Sequence, residues 1–220
     1  MKNIAFIFCC LLMTLKSYSQ STDRLWTESE RESLLRGLEQ TKNEVFSEIK
    51  GLTDQQWNFK EDSWRWSVSE IIDHLITQDE SYNQEIWTCL NQPQQPQFIE
   101  QIKGNDQVFI EYSDDPLKAN AGFLSPFGKY CSKDKTEFAY NRIRDALFGT
   151  VKNSKNDFRK HFTFRNFKFD GQLTNAEIYN VRDMHQIVIT CISHTERYLK
   201  QPRKVKIHPN YPKYHFPTKS

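Results

Sequence analysis

Four stretches of the chain place apolar residues at three- and four-residue spacing, the period of a helix with one buried face. The first carries Leu34, Leu38, Val45 and Ile49, with Leu35 and Phe46 beside them. The second carries Ile71, Leu75, Tyr82 and Ile86, with Ile72 and Ile76 adjacent. A third lies near Lys135–Asn156, with Phe138, Ile143, Leu147 and Val151 on one side. The fourth carries Met184, Ile187, Val188, Cys191, Thr195 and Leu199. Thr27-x-x-Glu30, Ser67-x-x-Glu70 and Thr174-x-x-Glu177 precede the first, second and fourth stretches. Each is a capping box, in which the hydroxyl accepts from an amide of the first turn and the glutamate reaches back to the cap. The pattern predicts four proline-free helices of roughly 20–26 residues, about 30–39 Å each. Helices of matched length bury their stripes against one another. The expected fold is all-α, an up-down four-helix bundle with a long connection between helices 2 and 3.

The connections differ. The first holds Trp57, Trp64 and Trp66, expected to close one end of the bundle. The second runs from about Asn91 to Asp134 with Gln-Pro repeats, Gly104 and Gly122. A connection of that length crosses a bundle or covers a site. The third alternates Phe162, Phe164, Phe167 and Phe169, which reads as a short strand or as loop aromatics.

The first residues stand apart. Lys2, the apolar run Ile4–Leu15 and Ser17-x-Ser19 form a secretory leader cut after Ser19. The run is shorter than the roughly 20 residues that a spanning helix needs. Phe8 before Cys9 and Cys9 before Cys10 stand where a lipoprotein signal usually has Gly, Ala or Ser, which argues against a lipid anchor at either cysteine. The domain reading is therefore leader 1–19, bundle 20–201 and a basic, proline-containing tail 202–220. The protein is expected to be secreted or periplasmic, with no stable membrane insertion after cleavage.

Removing the leader takes two of the 30 basic residues and none of the 28 acidic ones, so the mature charge is zero. No nucleic-acid partner is expected from that balance; a small-molecule ligand and a homodimer are compatible with it. Cys89, Cys131 and Cys191 remain, and they allow a Cys89–Cys131 bridge or three thiols, with Cys191 in the core pattern.

Phosphate-cradling loops, the nucleophile elbow and C-x-x-C are absent from the mature chain, which holds 7 Gly in all. The histidines are more informative. His161 follows a basic stretch at a helix end, where a cation suits the helix dipole; His208 and His215 lie in the tail. His185 and His194 are nine residues apart, about 900° of rotation, and face opposite ways. His74 falls at the edge of the Ile71–Leu75 stripe and His194 on the stripe Ile187–Cys191–His194–Tyr198 of a separate helix, so both point toward the bundle interior. A facing pair of imidazoles in a bundle core is a way to hold a divalent metal.

The segment Leu52-Thr53-Asp54-Gln55-Gln56-Trp57 through Trp64-x-Trp66-Ser67-Val68-x-Glu70-Ile71-Ile72-Asp73-His74-Leu75 resembles the DinB-like four-helix-bundle superfamily. So do His194-Thr195-Glu196-Arg197-Tyr198-Leu199-Lys200-Gln201 and the tail from Val205 to Lys213. The resemblance covers most of Thr27–Lys213. It implies an up-down bundle and a divalent metal, often zinc or nickel. Three histidines would hold it, one from the second helix and two from an H-x-x-x-H on the fourth. It also implies thiol-dependent transferase, isomerase or metal-dependent hydrolase chemistry. His74 and His194 match the first two ligands; Tyr198 stands at the third. A phenol has a pKa near 10, so its deprotonation weakens binding. Asp73, Gln78 and Asp79 are candidates to complete the shell, Gln78 being the best placed at one turn from His74. Arg197 is assigned to orienting structure. Export separates the protein from the cytosolic thiols that the transferases use.

Three readings stay open: a metal enzyme with an altered His74/His194/Tyr198 site, a metal-free small-molecule-binding bundle, and a structural bundle in which the three residues hydrogen-bond in the core. No residue is assigned a catalytic role.

Overall fold

The computed structural model describes residues 24–111, 114, 124–130, 132–164 and 181–213. Four long helices make the body: α1 (Glu28–Ile49), α3 (Val68–Leu90), α6 (Lys133–Asn153) and α7 (Met184–Lys206). The short helices are α2 (Asp54–Asn58), α4 (Ile99–Ile102) and α5 (Asp106–Glu111). Strands β1 (Phe162–Phe164) and β2 (Val181–Asp183) pair antiparallel, with Phe162 opposite Asp183 and Phe164 opposite Val181. The four-helix bundle with a long second connection is the architecture observed.

Around the bundle α1 touches α6 and α7, and α3 touches the same two, so α1 and α3 are diagonal. Contacts give the directions. Arg31 at the start of α1 meets Val151 and Lys152 at the end of α6, an antiparallel pair. Glu44 and Glu48 near the end of α1 pair with Arg203 near the end of α7, a parallel one. The helices therefore run up, down, down, up. The long connection carries the chain back along the bundle, which lets α3 and α6 lie parallel.

The capping boxes at Thr27 and Ser67 form as the sequence predicts. Thr53 and Gln56 make another on α2. The fourth helix differs from expectation. Its cap is Asp183, which accepts from the Gln186 amide, and β2 occupies the residues before it. Thr174 and Glu177 lie outside the described residues, as do the leader, Cys131, Phe167, Phe169 and His215. Helix α7 also continues through a buried Pro202 to Lys206, past the boundary at 201 and against the expectation of proline-free helices. Proline lacks only the one amide that would reach the Tyr198 carbonyl. Salt bridges from Arg203 and Lys206 to Glu48 hold that last turn.

Two apolar clusters fill the interior. One centres on Trp26, Leu38, Ile86, Leu147 and Val188, the other on Val45, Ile71, Leu75, Tyr140 and Leu199. Between them lie Asp79 and Arg144, both fully buried, with the Arg144 Nε 2.9 Å from Asp79 Oδ2. The Nε–H points at the Tyr140 hydroxyl at 3.0 Å, so the carboxylate contact is charge proximity rather than a linear hydrogen bond. Cys191 donates to Asp79 Oδ1 at 3.0 Å, and the guanidinium also meets Thr195. Phe138, predicted to face the core, is exposed; Tyr140 and Arg144 hold the buried face of α6 instead. No helix among the described residues is long and apolar enough to cross a membrane.

Removing one partner of a buried ion pair leaves the other charge stranded, at a cost of about 3–5 kcal/mol. Arg144→Met is expected to lose about that much in urea unfolding. Asp79→Leu together with Arg144→Met is expected to regain most of it, because neither member of the pair is then left without the other. A double variant as unstable as the single one would contradict this account of the pair.

Candidate functional site

Antiparallel packing of α3 on α7 brings His74 against His194. Their Nε2 atoms are 3.3 Å apart and both residues are buried. The His74 Nδ1 lies 2.7 Å from the Leu124 carbonyl. A carbonyl only accepts, so Nδ1 carries the ring proton and the Nε2 of neutral His74 presents a lone pair to its neighbour. Burial lowers the pKa of His74, against the Leu124 carbonyl and the Asp73 charge, which raise it. His194 is pushed well below the usual range by burial, and further by His74, Arg144 and Arg197. Both rings are neutral at pH 7.

Tyr198 completes the group. Its ring centroid is 4.4 Å from that of His74 and 4.6 Å from that of His194. Trp66 stacks on Tyr198 at 6.0 Å and lies 5.0 Å from His74. The sequence-derived trio His74, His194 and Tyr198 is thus gathered in one place. Of the three tryptophans expected to close the bundle end, Trp57 is buried and Trp66 roofs this group. Trp64, in the turn before α3, is 75% exposed and closes nothing.

Each carboxylate considered for the shell has other partners, although Asp73 Oδ1 is buried with no hydrogen-bond partner and Asp79 Oδ2 has only the charge contact of Arg144. Asp73 Oδ2 accepts from the Phe127 and Gly128 amides at 2.9 and 3.0 Å. Asp79 serves Arg144 and Cys191. Gln78 is buried one turn from His74. The two neutral imidazoles are the donors that face each other in this group. On a tetrahedral ion with metal–nitrogen distances of about 2.0–2.1 Å, two nitrogens lie about 3.3 Å apart. The Nε2 separation matches that value, and the carbonyl on Nδ1 is the outer contact that orients a ligating histidine. The same separation admits a direct hydrogen bond from His194 Nε2–H to His74 Nε2.

A second polar group was not legible in the sequence. Glu30, Asp106 and His185 bring donor atoms within 4.8 Å of one another. The Arg159 guanidinium sits among them, 2.6 Å from Glu30 and from Asp106 and 3.0 Å from Asp183. Burial works against the Glu30 and Asp106 carboxylates. The Thr27 amide and Arg159 outweigh it at Glu30, Arg159 and Gln186 outweigh it at Asp106, and both pKa values fall. Burial raises Asp183 to about 7 despite Arg159. Trp26 Nε1 donates to His185 Nδ1 at 3.1 Å, so neutral His185 carries its proton on Nε2. A metal bound at Nε2 would have to displace that proton or break the Trp26 bond. Arg159 already supplies the positive charge that the carboxylates call for. The opposed facing of His185 and His194 holds. His161, expected as a helix-end cation, is buried with Nδ1 against the Cys89 carbonyl, and burial lowers its pKa.

No signal in the sequence joined Glu30, Asp106, Arg159 and His185. They come from α1, α5, the turn Phe158–Lys160 and α7, and no fixed spacing relates them. Glu30 was legible as a capping residue, a role it also performs.

No family model matches the sequence, and no curated protein does. Among solved structures the chain is similar to YfiT from Bacillus subtilis, described as a probable metal-dependent hydrolase with an unusual four-helix bundle topology. The identity is 11% and the TM-score 0.46, over 82% of this chain and 87% of that one.

Burial, then the Arg159 charge, lowers the pKa of His185 to about 4. The unfolded chain takes up that proton near pH 6.5 and the folded chain does not, so stability present above pH 6.5 is lost as pH falls toward 4. The loss from this residue is expected to be on the order of 3 kcal/mol by pH 4. Urea unfolding at pH 7 and pH 4.5 should show it, with a shallower loss in His185→Gln. An equal loss in that variant would remove His185 as a cause.

Proposed function

We propose that this chain is an exported, divalent-metal-binding bundle of the DinB-like kind, with His74 and His194 as ligands and hydrolase or transferase chemistry at that site. The observation that carries the reading is the 3.3 Å separation of two neutral Nε2 atoms, one oriented by a backbone carbonyl. The leader pattern of Met1–Ser19 supports export to the periplasm or medium.

The donor set fits a zinc or nickel ion that keeps exchangeable positions, since the protein offers two imidazoles and a phenol in place of a third imidazole. When bound, such an ion supplies a Lewis acid that polarises a carbonyl or phosphoryl oxygen. His74 is held in the right tautomer by Leu124. His194 is kept unprotonated by burial and by the Arg144 charge. Tyr198 brings a hydroxyl-bearing ring beside both, and Trp66 stacks on that ring. The second reading, a metal-free bundle, is favoured by the same 3.3 Å if it is an N–H···N bond.

Elemental analysis of protein purified without a polyhistidine tag separates the two. The proposal expects about one zinc or nickel ion per chain, lost in His74→Ala and in His194→Ala. Tyr198→His is expected to tighten binding, since it removes the cost of ionising a phenol. No metal in the wild type, together with an unchanged melting temperature on adding zinc or nickel, would sink the metal reading.

A further inference from the structure

The Arg159 clamp forms the polar end of a cleft of about 370 Å³ between α1, α5 and α7. Leu34, Ile110, Ile189 and Ile192 make its apolar wall. Arg159 has five N–H groups, and five hydrogen bonds to Glu30, Asp106 and Asp183 use them all. Glu30 is filled by Arg159 and by its own cap. Two groups keep capacity. One is His185 Nε2–H, because Trp26 holds Nδ1. The other is Asp106 Oδ2, which accepts once, from Arg159. They stand 3.9 Å apart, too far to bond each other.

One donor and one acceptor at that distance are bridged by an atom that both accepts and donates. An oxygen about 2.8 Å from each spans the gap. A carboxylate or phosphate is disfavoured, since Glu30, Asp106 and Glu196 line the cleft and the guanidinium is already engaged. An ammonium could donate to Asp106 but would set its own N–H groups against that of His185. The geometry points to a site for a small neutral alcohol, its hydroxyl between His185 and Asp106 and its aliphatic body along Ile110, Ile189 and Ile192. The site is separate from the His74–His194 pair and does not depend on the metal reading.

The test uses 1-hexanol as the probe, followed by the methyl resonances of Ile110, Ile189 and Ile192 in the purified protein. Saturable shifts at millimolar alcohol are expected, with hexanoate and hexylamine at least about tenfold weaker. Ser33→Phe adds a ring from an exposed position that lines the cleft, and should abolish the shifts while the melting temperature holds. Should that variant fail to fold, Ile110→Ala trims the wall and should weaken binding several-fold. The assignment is overturned by shifts that never saturate, by equal binding of hexanoate or hexylamine, or by shifts indifferent to both variants. Saturable zinc binding that perturbs His185 would overturn it too, since it would replace the tautomer on which the site rests.

Discussion

The architecture turns on one buried charge pair. Arg144 from α6 and Asp79 from α3 sit where the core would otherwise be continuous hydrocarbon, and α7 reaches the same place with Cys191 and Thr195. The pair divides the apolar interior in two. Its net stabilisation is modest, because both charges left water to make it. Its geometric effect is large. A guanidinium in this layer has its full set of partners in one register of the three helices, and a one-turn slide of α7 would put Ile187 or Leu199 in one of the two places that Cys191 and Thr195 hold. Hydrophobic contact is tolerant of such slides; a buried cation is not.

That fixed register places His194 beside His74. Cys191, His194, Thr195 and Tyr198 share consecutive turns of α7, so the residues that satisfy the ion pair and the residues of the imidazole group are positioned together. The pair also acts through its field. Arg144 adds to the burial that keeps His194 unprotonated. A histidine without its proton is what a metal or a hydrogen-bond donor requires. The core charge thus contributes to the site by register and by electrostatics, without touching it through a bond.

Helix periodicity and two capping boxes were enough to read α1 and α3, because caps and buried stripes are local properties. The start of α7 was misread for a physical reason: its cap is an aspartate, Asp183, followed by Gln186, which also makes a valid box but lacks the serine or threonine signature. Phe138 shows the limit of reading a stripe by hydrophobicity alone, since the buried face of α6 is led by Tyr140 and Arg144. His74 and His194 were legible because each lies on a helical stripe. Arg159 and its carboxylates were not, because only tertiary structure joins four segments that share no period.

The long connection makes sense of both polar groups. Its early part, α5, supplies Asp106 to the Arg159 clamp and Ile110 to the cleft wall. Its later part supplies the Leu124 carbonyl to His74, and its Phe127 and Gly128 amides dock on Asp73. Gly128 takes a positive φ of 71° there, which a residue with a Cβ adopts at a cost. A tight turn between α3 and α6 would have run those helices antiparallel and left each group without its outer partner. The segment that lets α3 and α6 lie parallel is therefore the one that completes the two polar groups, which are built from the same excursion of the chain.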